Sequence, residues 1–408
     1  MGKRKKVQDN DFDYQGFEKE AIAKLRAGKG LIGPEGALTG MIQRILQAAL
    51  DGEMDDHLGN GDVNRRNGYT DKQVQTSMGS VGVEPPRDRN GSFEPKIIGK
   101  WERRVAPEIE SQILSLYGMG NSYADISSFI EQMYGVKYST SLISSVTDKV
   151  WSEVDLWRKR PLASCYALIY LDAIHYKVRD NGRVVTKAIY TVFGVDLDGE
   201  RDVLGIYIDQ AEGARFWGRV LEDIRDRGVE DVLFFSIDGL KGFSTVITQI
   251  FPQSIVQRCI VHMIRTSLRH VSWKDYKDIC RDLRTIYTAA TEPEAKRALN
   301  AFADTWDEKY PEISRKWEES WIELSAFFDY PADIRRMIYT TNAVESLHRL
   351  MRKTTKNKSS MINDDALIKV IYLTIKHNEK TWKRSARKWP PILQTLRREF
   401  GDRINKYL

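Results

Sequence analysis

The sequence predicts an α/β protein in which a mixed β-sheet is followed by a long helical segment. The run DVLFFSI, residues 231–237, is almost continuously apolar and stops at Asp238-Gly239. A second apolar run, Ala167–Leu171, stops at Asp172. Short apolar runs ended by a polar or turn signal are typical of strands buried on both faces. Between residues 263 and 326 the apolar spacing is helical instead.

Composition is that of a globular protein with several domains. The 408 residues are 41% hydrophobic and 29% charged, which leaves room for about two to four domains. We expect no membrane span, since no apolar run reaches about 18 residues. We expect no signal peptide, since the basic and acidic N-terminal residues include no apolar core. Three cysteines make no disulfide framework, so a reducing, cytoplasmic setting is expected.

Basic charge is concentrated in the last part of the chain, although the formal net charge is only +6. Residues 346–408 contain 16 Lys and Arg against 5 Asp and Glu. Such an excess indicates a polyanionic partner, with a solvated helix face as the alternative.

The N-terminal third carries further candidates for contact with a polyanion. Residues Leu38–Ala49 have the spacing of an amphipathic helix, which would serve as a packing or dimer element. After it, Gly- and Pro-rich connections and a short strand signal indicate a small β-region that can follow a phosphate backbone without blocking it. Its basic residues are Arg65, Arg66, Arg87 and Arg89. The alternative is an ordinary basic surface loop.

Three short helices are predicted between Glu108 and Val150. Ser122 and Ser139 stand where they would cap the second and third helices. Two helices joined by a Gly-containing turn form the helix-turn-helix pattern of DNA-binding proteins. In that arrangement the N-terminus of the third helix would face the major groove with Thr140, Ser141 and Ser144. The alternative is a three-helix packing module.

The central region predicts the sheet and its carboxylates. Strands are expected at 167–171, 187–195, 203–208 and 231–237, with a helix at about 212–227 before the last of them. Asp172 and Asp238 would then each close a central strand, where ligands of open α/β sheets collect. A further strand is expected at 254–259.

A third carboxylate follows the helical segment. In the helix AVESLHRLMRK, Glu345, Arg349 and Arg352 stand at i, i+4 and i+7, on one face. Three carboxylates repel one another and are tolerated mainly around a divalent cation; oxygen-only ligands favour Mg²⁺ or Mn²⁺. Two such ions can activate an attacking oxygen and stabilise a leaving oxygen at phosphorus. Arg349, Arg352 and Lys353 would hold DNA phosphates beside them.

Four segments carry a family resemblance: IYLDAI, FSIDG, QRCIVHMIR, and IRRMIYTTNAVESLHRLMRK after a helical segment. They resemble the Mutator-type transposases of bacterial insertion sequences. The resemblance implies an RNase H-like core with Asp172, Asp238 and Glu345 as a DDE triad, and recognition of terminal inverted repeats. It also implies a helical insertion between the second Asp and the Glu.

With that resemblance, the chain divides into six predicted segments. They are an N-terminal helical or dimerisation segment (1–60), a small β and loop region contacting DNA (61–105), a helix-turn-helix domain (106–160), the first part of the core (161–262), an all-helical insertion (263–330), and the second part of the core with basic C-terminal helices (331–408).

Several neighbouring residues are predicted to support the active site. Cys259 and His262 form a Cys-x-x-His pair, which by its spacing is half of a zinc site, but the resemblance favours support of the metal pocket. His175 could meet substrate phosphate, or lie at a strand edge. Lys241, in the turn after Asp238, could also meet substrate phosphate. Trp317 is the insertion tryptophan chosen to stack on an unpaired base, although these tryptophans are most simply core.

The predicted function is therefore a dimeric DNA transposase using two Mg²⁺ or Mn²⁺ ions per site. It would hydrolyse a phosphodiester to expose a 3′-hydroxyl and then join that hydroxyl to target DNA. Two alternatives stay open: another RNase H-like nuclease of structure-specific kind, and a non-catalytic domesticated DNA-binding regulator. A nuclease would cut without joining ends, and a regulator would bind without cutting.

Overall fold

The computed structural model describes residues 13–31, 35–59, 64–76, 79–99, 104–105, 107–134, 137–209, 213–240, 242–339, 342–356, 358–383 and 389–408. The chain forms two compact units. Unit 1 comprises residues 1–117 and 121–149, and unit 2 comprises residues 118–120 and 150–408. None of the described helices is both long and apolar enough to cross a membrane.

Unit 1 combines helices with a two-stranded and a three-stranded sheet. Its elements are α1 (Tyr14–Arg26), α2 (Thr39–Gly59), β1 (Arg66–Tyr69), β2 (Lys72–Thr76), β3 (Gly79–Val83), β4 (Pro86–Asp88), β5 (Arg104–Val105), α3 (Pro107–Gly118), α4 (Tyr123–Tyr134) and α5 (Thr140–Asp148). Strand β1 pairs with β4, and β2 lies between β3 and β5. Helix α2 includes most of the predicted amphipathic stretch and buries Leu50 against Val74, Val83 and Ile98.

A buried carboxylate organises the loop after β4. Asp88 accepts hydrogen bonds from the Asn64 side chain, the Ser92 hydroxyl and the backbone N–H of Phe93. Burial alone would raise the pKa of Asp88, but these donors outweigh it and hold the pKa far below its usual value. The loop is therefore fixed by an ionised side chain and needs no regular secondary structure.

The three helices predicted after residue 107 are present, and both serines cap as expected. Ser139 accepts from the backbone N–H of Leu142 at the start of α5. Ser122 accepts from the N–H of Asp125, whose carboxylate accepts from the Ser122 hydroxyl in return, at the start of α4. Each cap satisfies backbone donors that an isolated helix end leaves unpaired.

Unit 2 is built on a five-stranded mixed sheet, as predicted. Its first elements are α6 (Val150–Lys159), β6 (Cys165–Asp180), β7 (Arg183–Asp196), β8 (Arg201–Asp209), α7 (Ala214–Asp226), β9 (Asp231–Ile237), α8 (Phe243–Ile250) and β10 (Ile255–Arg258). The strand order is β10-β9-β6-β7-β8. Strands β6, β9 and β10 are parallel, whereas β7 and β8 run antiparallel to their neighbours.

The prediction that a strand ends at Asp172 is wrong for β6, which continues to Asp180. The parallel pairing with β9 stops at Leu171, but the antiparallel pairing with β7 goes on, with Asp172 opposite Thr191. Beyond Asp172 the strand is covered less evenly, and its burial varies from residue to residue. The apolar run therefore marks where the parallel neighbour ends and does not mark the end of the strand.

Helix α7 covers one face of this sheet. Its Trp217, Val220, Leu221 and Ile224 are fully buried in the same core as strand residues such as Phe235. Burying a side chain of this size contributes about 1.5–3 kcal/mol relative to leaving it exposed. The core thus holds β6 and β9 in fixed register.

The rest of unit 2 is helical in its described residues. Its elements are α9 (Ile260–Ser267), α10 (Trp273–Tyr287), α11 (Glu292–Trp306), α12 (Pro311–Glu319), α13 (Trp321–Ser325), a 3₁₀ helix (Ala326–Asp329), α14 (Ala332–Tyr339), α15 (Asn342–Thr355), α16 (Asp364–His377), α17 (Glu379–Trp382), α18 (Trp389–Phe400) and α19 (Asp402–Asn405). Helix α19 is anchored to the sheet because Arg403 binds both carboxylate oxygens of Asp231, at 2.8 and 2.9 Å.

Candidate active site

Two aspartates directly follow the last residue pair of the parallel strands β6 and β9. The last paired residues of β6 and β9 are Leu171 and Ile237, which are directly opposite each other. The next residue on each strand is an aspartate, Asp172 on one and Asp238 on the other. Both apolar runs therefore stop at the same level of the sheet, although β6 itself continues past Asp172.

Asp172 is held from several sides. Its Oδ1 accepts from the backbone N–H of Ala173 at 2.7 Å and lies 3.5 Å from His262 Nε2. Its Oδ2 lies 3.3 Å from Nδ1 of His348, a buried residue of α15. Burial acts to raise the pKa of Asp172, but the two imidazoles and the backbone donor outweigh it and lower the pKa. The carboxylate is therefore ionised and fixed in orientation.

Glu345, on the first turn of α15, is bound by two arginines. Arg265 Nη2 of α9 lies 3.0 Å from one carboxylate oxygen, and Arg352 Nη1 lies 3.3 Å from the other. Partial burial acts to raise the pKa of Glu345, but the hydrogen bond and charge of Arg265, together with Arg352, lower it. The predicted i, i+7 relation to Arg352 is a direct contact, and Arg349 and Arg352 are both exposed.

A small cavity of about 20 Å³ is lined by both Asp172 and Glu345 but not by Asp238. That volume accommodates about one water-sized species. The residues lining it are Tyr170, Leu171, Asp172, Ser236, Cys259, Val261, His262, Val344 and Glu345. Asp172 and Glu345 therefore face a common space, although they are distant in sequence. Across the described residues, no group of three or more His, Cys, Asp or Glu is arranged to hold a metal ion.

Cys259 and His262 lie in this cavity, at the start of α9. The N–H of Cys259 donates to the carbonyl of Ile237 at 2.7 Å, which ties α9 to the strand that precedes Asp238. Burial, together with the nearby carboxylates of Asp172 and Asp238, raises the pKa of Cys259 to about 11. Burial also lowers the pKa of His262. The Cys259 thiol and the His262 imidazole both line the pocket beside Asp172.

The other predicted support residues lie elsewhere. His175 is exposed on β6, and Lys241 lies outside the described residues. Trp317 is only 1% exposed, and its indole N–H donates to Ser267 Oγ at 3.0 Å. Its faces are covered by core side chains, so the choice of Trp317 as a base-stacking residue is wrong for this structure.

The candidate DNA-contacting residues of unit 1 are mostly at its surface. Arg65, Arg87 and Arg89 are exposed on the β1–β4 pair, where the N–H of Arg89 donates to the carbonyl of Arg65. Arg66 is engaged within the unit by the carboxylates of Asp51 and Asp55, at 2.9 and 2.6 Å.

Other candidate DNA-contacting residues lie at helix surfaces. Thr140 and Ser141 are exposed at the N-terminus of α5, and Ser144 is half-buried. In unit 2, Arg349, Arg352 and Lys353 are exposed on α15.

Two residues beside the carboxylates were not found from the sequence. His348 belongs to the buried stripe Val344, Leu347, His348 and Met351, at helical spacing, and a histidine within an apolar stripe is the signal that could have identified it. Arg265 carries no comparable signal, because its contact with Glu345 depends on how α9 packs beside α15.

Comparison with known proteins identifies the class of protein. Residues 16–385 match the family described as "Transposase, Mutator family". The chain therefore belongs to the Mutator family of transposases, which are enzymes that cleave DNA and transfer strands. The family also suggests a divalent-metal requirement.

Curated relatives narrow this class. The transposase for insertion sequence element ISRM3 from Rhizobium meliloti (strain 1021) is 40% identical over 397 residues, which cover 95% of this chain and 99% of the relative. A probable transposase for an ISRM3-like element from Sinorhizobium fredii (strain NBRC 101917 / NGR234) is 40% identical over 400 residues, with the same two coverages. The chain is thus an insertion-sequence transposase.

A solved structure, the Drosophila P element transposase strand transfer complex, is similar at 11% identity. The match covers 74% of this chain and 87% of that one, with a TM-score of 0.29. A likeness this low carries no argument about the site.

Proposed function

We propose that this transposase uses an RNase H-like core in which Asp172, Asp238 and Glu345 act as a DDE triad. The observation that carries the proposal is the register of β6 and β9, which ends at the Leu171–Ile237 pair immediately before both aspartates. The shared cavity of Asp172 and Glu345 supports the third member. The six segments predicted from the sequence, from residues 1–60 to residues 331–408, are proposed as its domains.

The chemistry of these donors fits divalent cations. Carboxylate oxygens favour Mg²⁺ or Mn²⁺. We infer two ions per site. When bound, they would neutralise charge on the attacking and leaving oxygens of an in-line displacement at phosphorus. Because Glu345 is paired with Arg265 and Arg352, its carboxylate must exchange these partners to join the aspartates.

DNA supplies the alternative partner for the two arginines. A phosphate accepts the same two-pronged hydrogen bonds from arginine as a carboxylate does. Arg265 and Arg352 would then hold the scissile strand while Glu345 turns to the aspartates. Arg349 and Lys353 on the exposed side of α15 would contact neighbouring phosphates.

The reaction consists of two displacements at phosphorus. In the first, a water oxygen bonds to phosphorus and the bond from phosphorus to the 3′ oxygen breaks, which leaves a 3′-hydroxyl on the element end. In the second, that hydroxyl bonds to a target phosphorus while the target's own 3′ oxygen leaves. His262 and His348 hold Asp172 throughout, at 3.5 and 3.3 Å from its two oxygens.

Unit 1 would recognise the terminal inverted repeats. The capped helices α4 and α5 support a helix-turn-helix, with Thr140, Ser141 and Ser144 toward the bases. Arg65, Arg87 and Arg89 on the β1–β4 pair would contact phosphates, as would the basic residues after 346. Joining two element ends requires two active sites, so we infer a homodimer. It would work in the bacterial cytoplasm, at the nucleoid when bound to DNA.

A labelled element end tests the proposal. With Mg²⁺ and a target duplex, the wild-type chain should give a cut at the element's 3′ end and a joined product. Asp172→Asn and Asp238→Asn should abolish both products while DNA binding is kept. Cleavage without joining would indicate a nuclease, and strand transfer retained by Asp238→Asn would overturn the triad.

A further inference from the structure

We propose that Trp273 and Tyr276 form a stacking platform for unpaired bases of the DNA strand beside the cut. The inference rests on the proposed function, since it names how that site holds its substrate. Trp273 is 88% exposed, more than any other large apolar side chain in the part of the chain described. An indole left in water at this level has no packing role in the monomer.

The two rings form one surface. Trp273 and Tyr276 are one turn apart on α10, with centroids 6.1 Å apart and planes inclined by only 25°. Tyr276 is 41% exposed, so the pair presents aromatic area to solvent. Aromatic faces accept any base, but a base inside a duplex is already stacked on its neighbours. The occupant that fits is therefore an unpaired nucleotide.

The platform has a rigid base. Ser272 caps α10 through the N–H of Lys274, and its own N–H donates to Tyr310 Oη at 3.2 Å. The Tyr310 hydroxyl also donates to Asp275 at 2.6 Å, and Lys309 pairs with the same carboxylate. Trp273 is thus the first residue of a helix whose N-terminus is held by a neighbouring loop. A helix start that is already held in place loses little further backbone entropy on binding.

Charge around the platform favours DNA over a protein partner. Between residues 265 and 278 the chain has four Lys and Arg and two acidic residues, Asp275, which is paired with Lys309, and Asp278, which is paired with Arg281. Arg269, Lys274 and Lys277 are exposed on either side of Trp273. A positively charged surface with aromatic side chains is the arrangement that binds single strands.

The platform is also continuous with the candidate active site. Arg265 on α9 contacts Glu345 at 3.0 Å, and α9 leads into α10 through residues 268–272 only. A strand whose phosphate lies at Arg265 could therefore pass Arg269 and reach Trp273 within a few nucleotides. We assign to the platform the bases that must leave the duplex next to the scissile phosphate.

The test uses a duplex of the element end with 2-aminopurine beside the cut, either fully paired or mismatched at those positions. Trp273→Ala should weaken binding of the mismatched duplex by about 5- to 150-fold, the range for loss of one stacked base. It should also abolish quenching of 2-aminopurine fluorescence. Trp273→Phe should keep most of the binding and most of the quenching. Trp273→Ala should weaken binding of the paired duplex less than binding of the mismatched duplex.

Ile322→Ala is the matched control, because Ile322 is 87% exposed in the same helical region but offers no aromatic face. It should leave binding and quenching unchanged. Equal binding of the mismatched duplex by Trp273→Ala and wild type would overturn the platform. So would loss of a dimer in Trp273→Ala, with quenching unchanged, since that result would make the surface a protein interface.

Failure of the proposed function is separable from failure of the platform. Asp172→Asn should remain able to quench 2-aminopurine while losing cleavage. If Asp172→Asn still cleaves, the triad is wrong but the quenching result stands. If quenching does not depend on Trp273 while Asp172→Asn is inactive, only the platform is wrong.

Discussion

His348 Nδ1 lies 3.3 Å from Oδ2 of Asp172, and its Nε2 lies 3.3 Å from Thr191 Oγ1. One buried imidazole thus links α15 to two adjacent strands of the sheet. Thr191 stands opposite Asp172 in the antiparallel ladder, so the strand register places both partners of His348 side by side. This contact orients Asp172 toward the cavity and ties it to the helix that carries Glu345.

Replacing His348 should impair use of the metal. His348→Ala should slow cleavage by about 10- to 100-fold and raise the Mg²⁺ concentration needed, because partners behind a ligand fix its orientation. His348→Asn should recover part of the loss. Single-turnover cleavage across a Mg²⁺ series measures both effects, and Mn²⁺ binding followed by electron paramagnetic resonance provides a readout besides activity. His175→Ala removes an exposed histidine of β6, the strand that carries Asp172, and should match wild type. The prediction fails if the two alanine variants behave alike.

Arg265 should matter for the reaction more than for stability. Its ion pair with Glu345 is half-exposed, so Arg265→Ala should change the free energy of unfolding by no more than about 1 kcal/mol. Loss of one charge-assisted phosphate contact should reduce cleavage by about 10- to 150-fold. Arg281 is an exposed arginine of the same helical region, with two carboxylate partners on its own helix. Arg281→Ala should keep full activity, and equal activity of the two variants would contradict a phosphate role for Arg265.

Gly199 and Gly182 provide a matched test of packing at strand turns. Both have φ of +78°, but a methyl group at Gly199 would overlap the Trp389 ring, whereas at Gly182 it would meet open space. Gly182→Ala should cost only the backbone penalty of about 1–2 kcal/mol. Gly199→Ala should cost about 1–3 kcal/mol more, because the Trp389 indole is also bound to the Leu197 carbonyl. Urea unfolding measures both, and equal losses would show that Trp389 simply moves aside.

Lys187 should make stability depend on alkaline pH. Its buried amine lies 2.7 Å from Asp364 and 3.1 Å from Asp180. Burial acts to lower the pKa of Lys187, but the hydrogen bonds from the amine to Asp364 and Asp180 raise it. Since the folded pKa is above the unfolded value, its contribution is complete below about pH 10.4 and is lost as pH rises through the folded pKa.

Lys187→Met should therefore be less stable than wild type by about 1.5–3 kcal/mol at pH 7, and the gap should narrow above about pH 10.4. Unfolding curves between pH 7 and pH 11 measure this difference directly. Lys296→Met removes a more exposed pair with Glu318 and should show a small gap at every pH. If the difference in stability between Lys187→Met and wild type stays constant to pH 11, that difference comes from the change in side-chain volume and not from the loss of charge.

Much of the sheet could be predicted because its strands are signalled locally. The runs at 167–171 and 231–237 are apolar wherever both faces are covered, and the Asp198-Gly199 turn marks the hairpin of β7 and β8. What could not be predicted is the extension of β6 to Asp180. That extension depends on antiparallel pairing with β7 and not on any property of the residues after Asp172 alone.

Only those residues of the candidate site that stand at the ends of strands or helices could be predicted from the sequence. Asp172, Asp238 and Glu345 stand at recognisable positions, but whether a side chain faces the cavity depends on packing. Trp317 and Trp273 lie in the same helical region and cannot be told apart by spacing, yet one is buried and the other is exposed. Arg265 illustrates the same limit, since its partner is 80 residues away.

The wide separation of Asp238 and Glu345 has a consequence during synthesis of the chain. Strands β6 and β9 are complete by residue 237, whereas Glu345 follows only after the whole helical region. At about 5–20 residues per second, a ribosome needs on the order of 5–20 s to add the intervening residues. A nascent chain could thus pair its sheet and hold both aspartates while it still lacks Glu345 and His348. The protein would become able to cut DNA only late in its synthesis, after most of it has already folded.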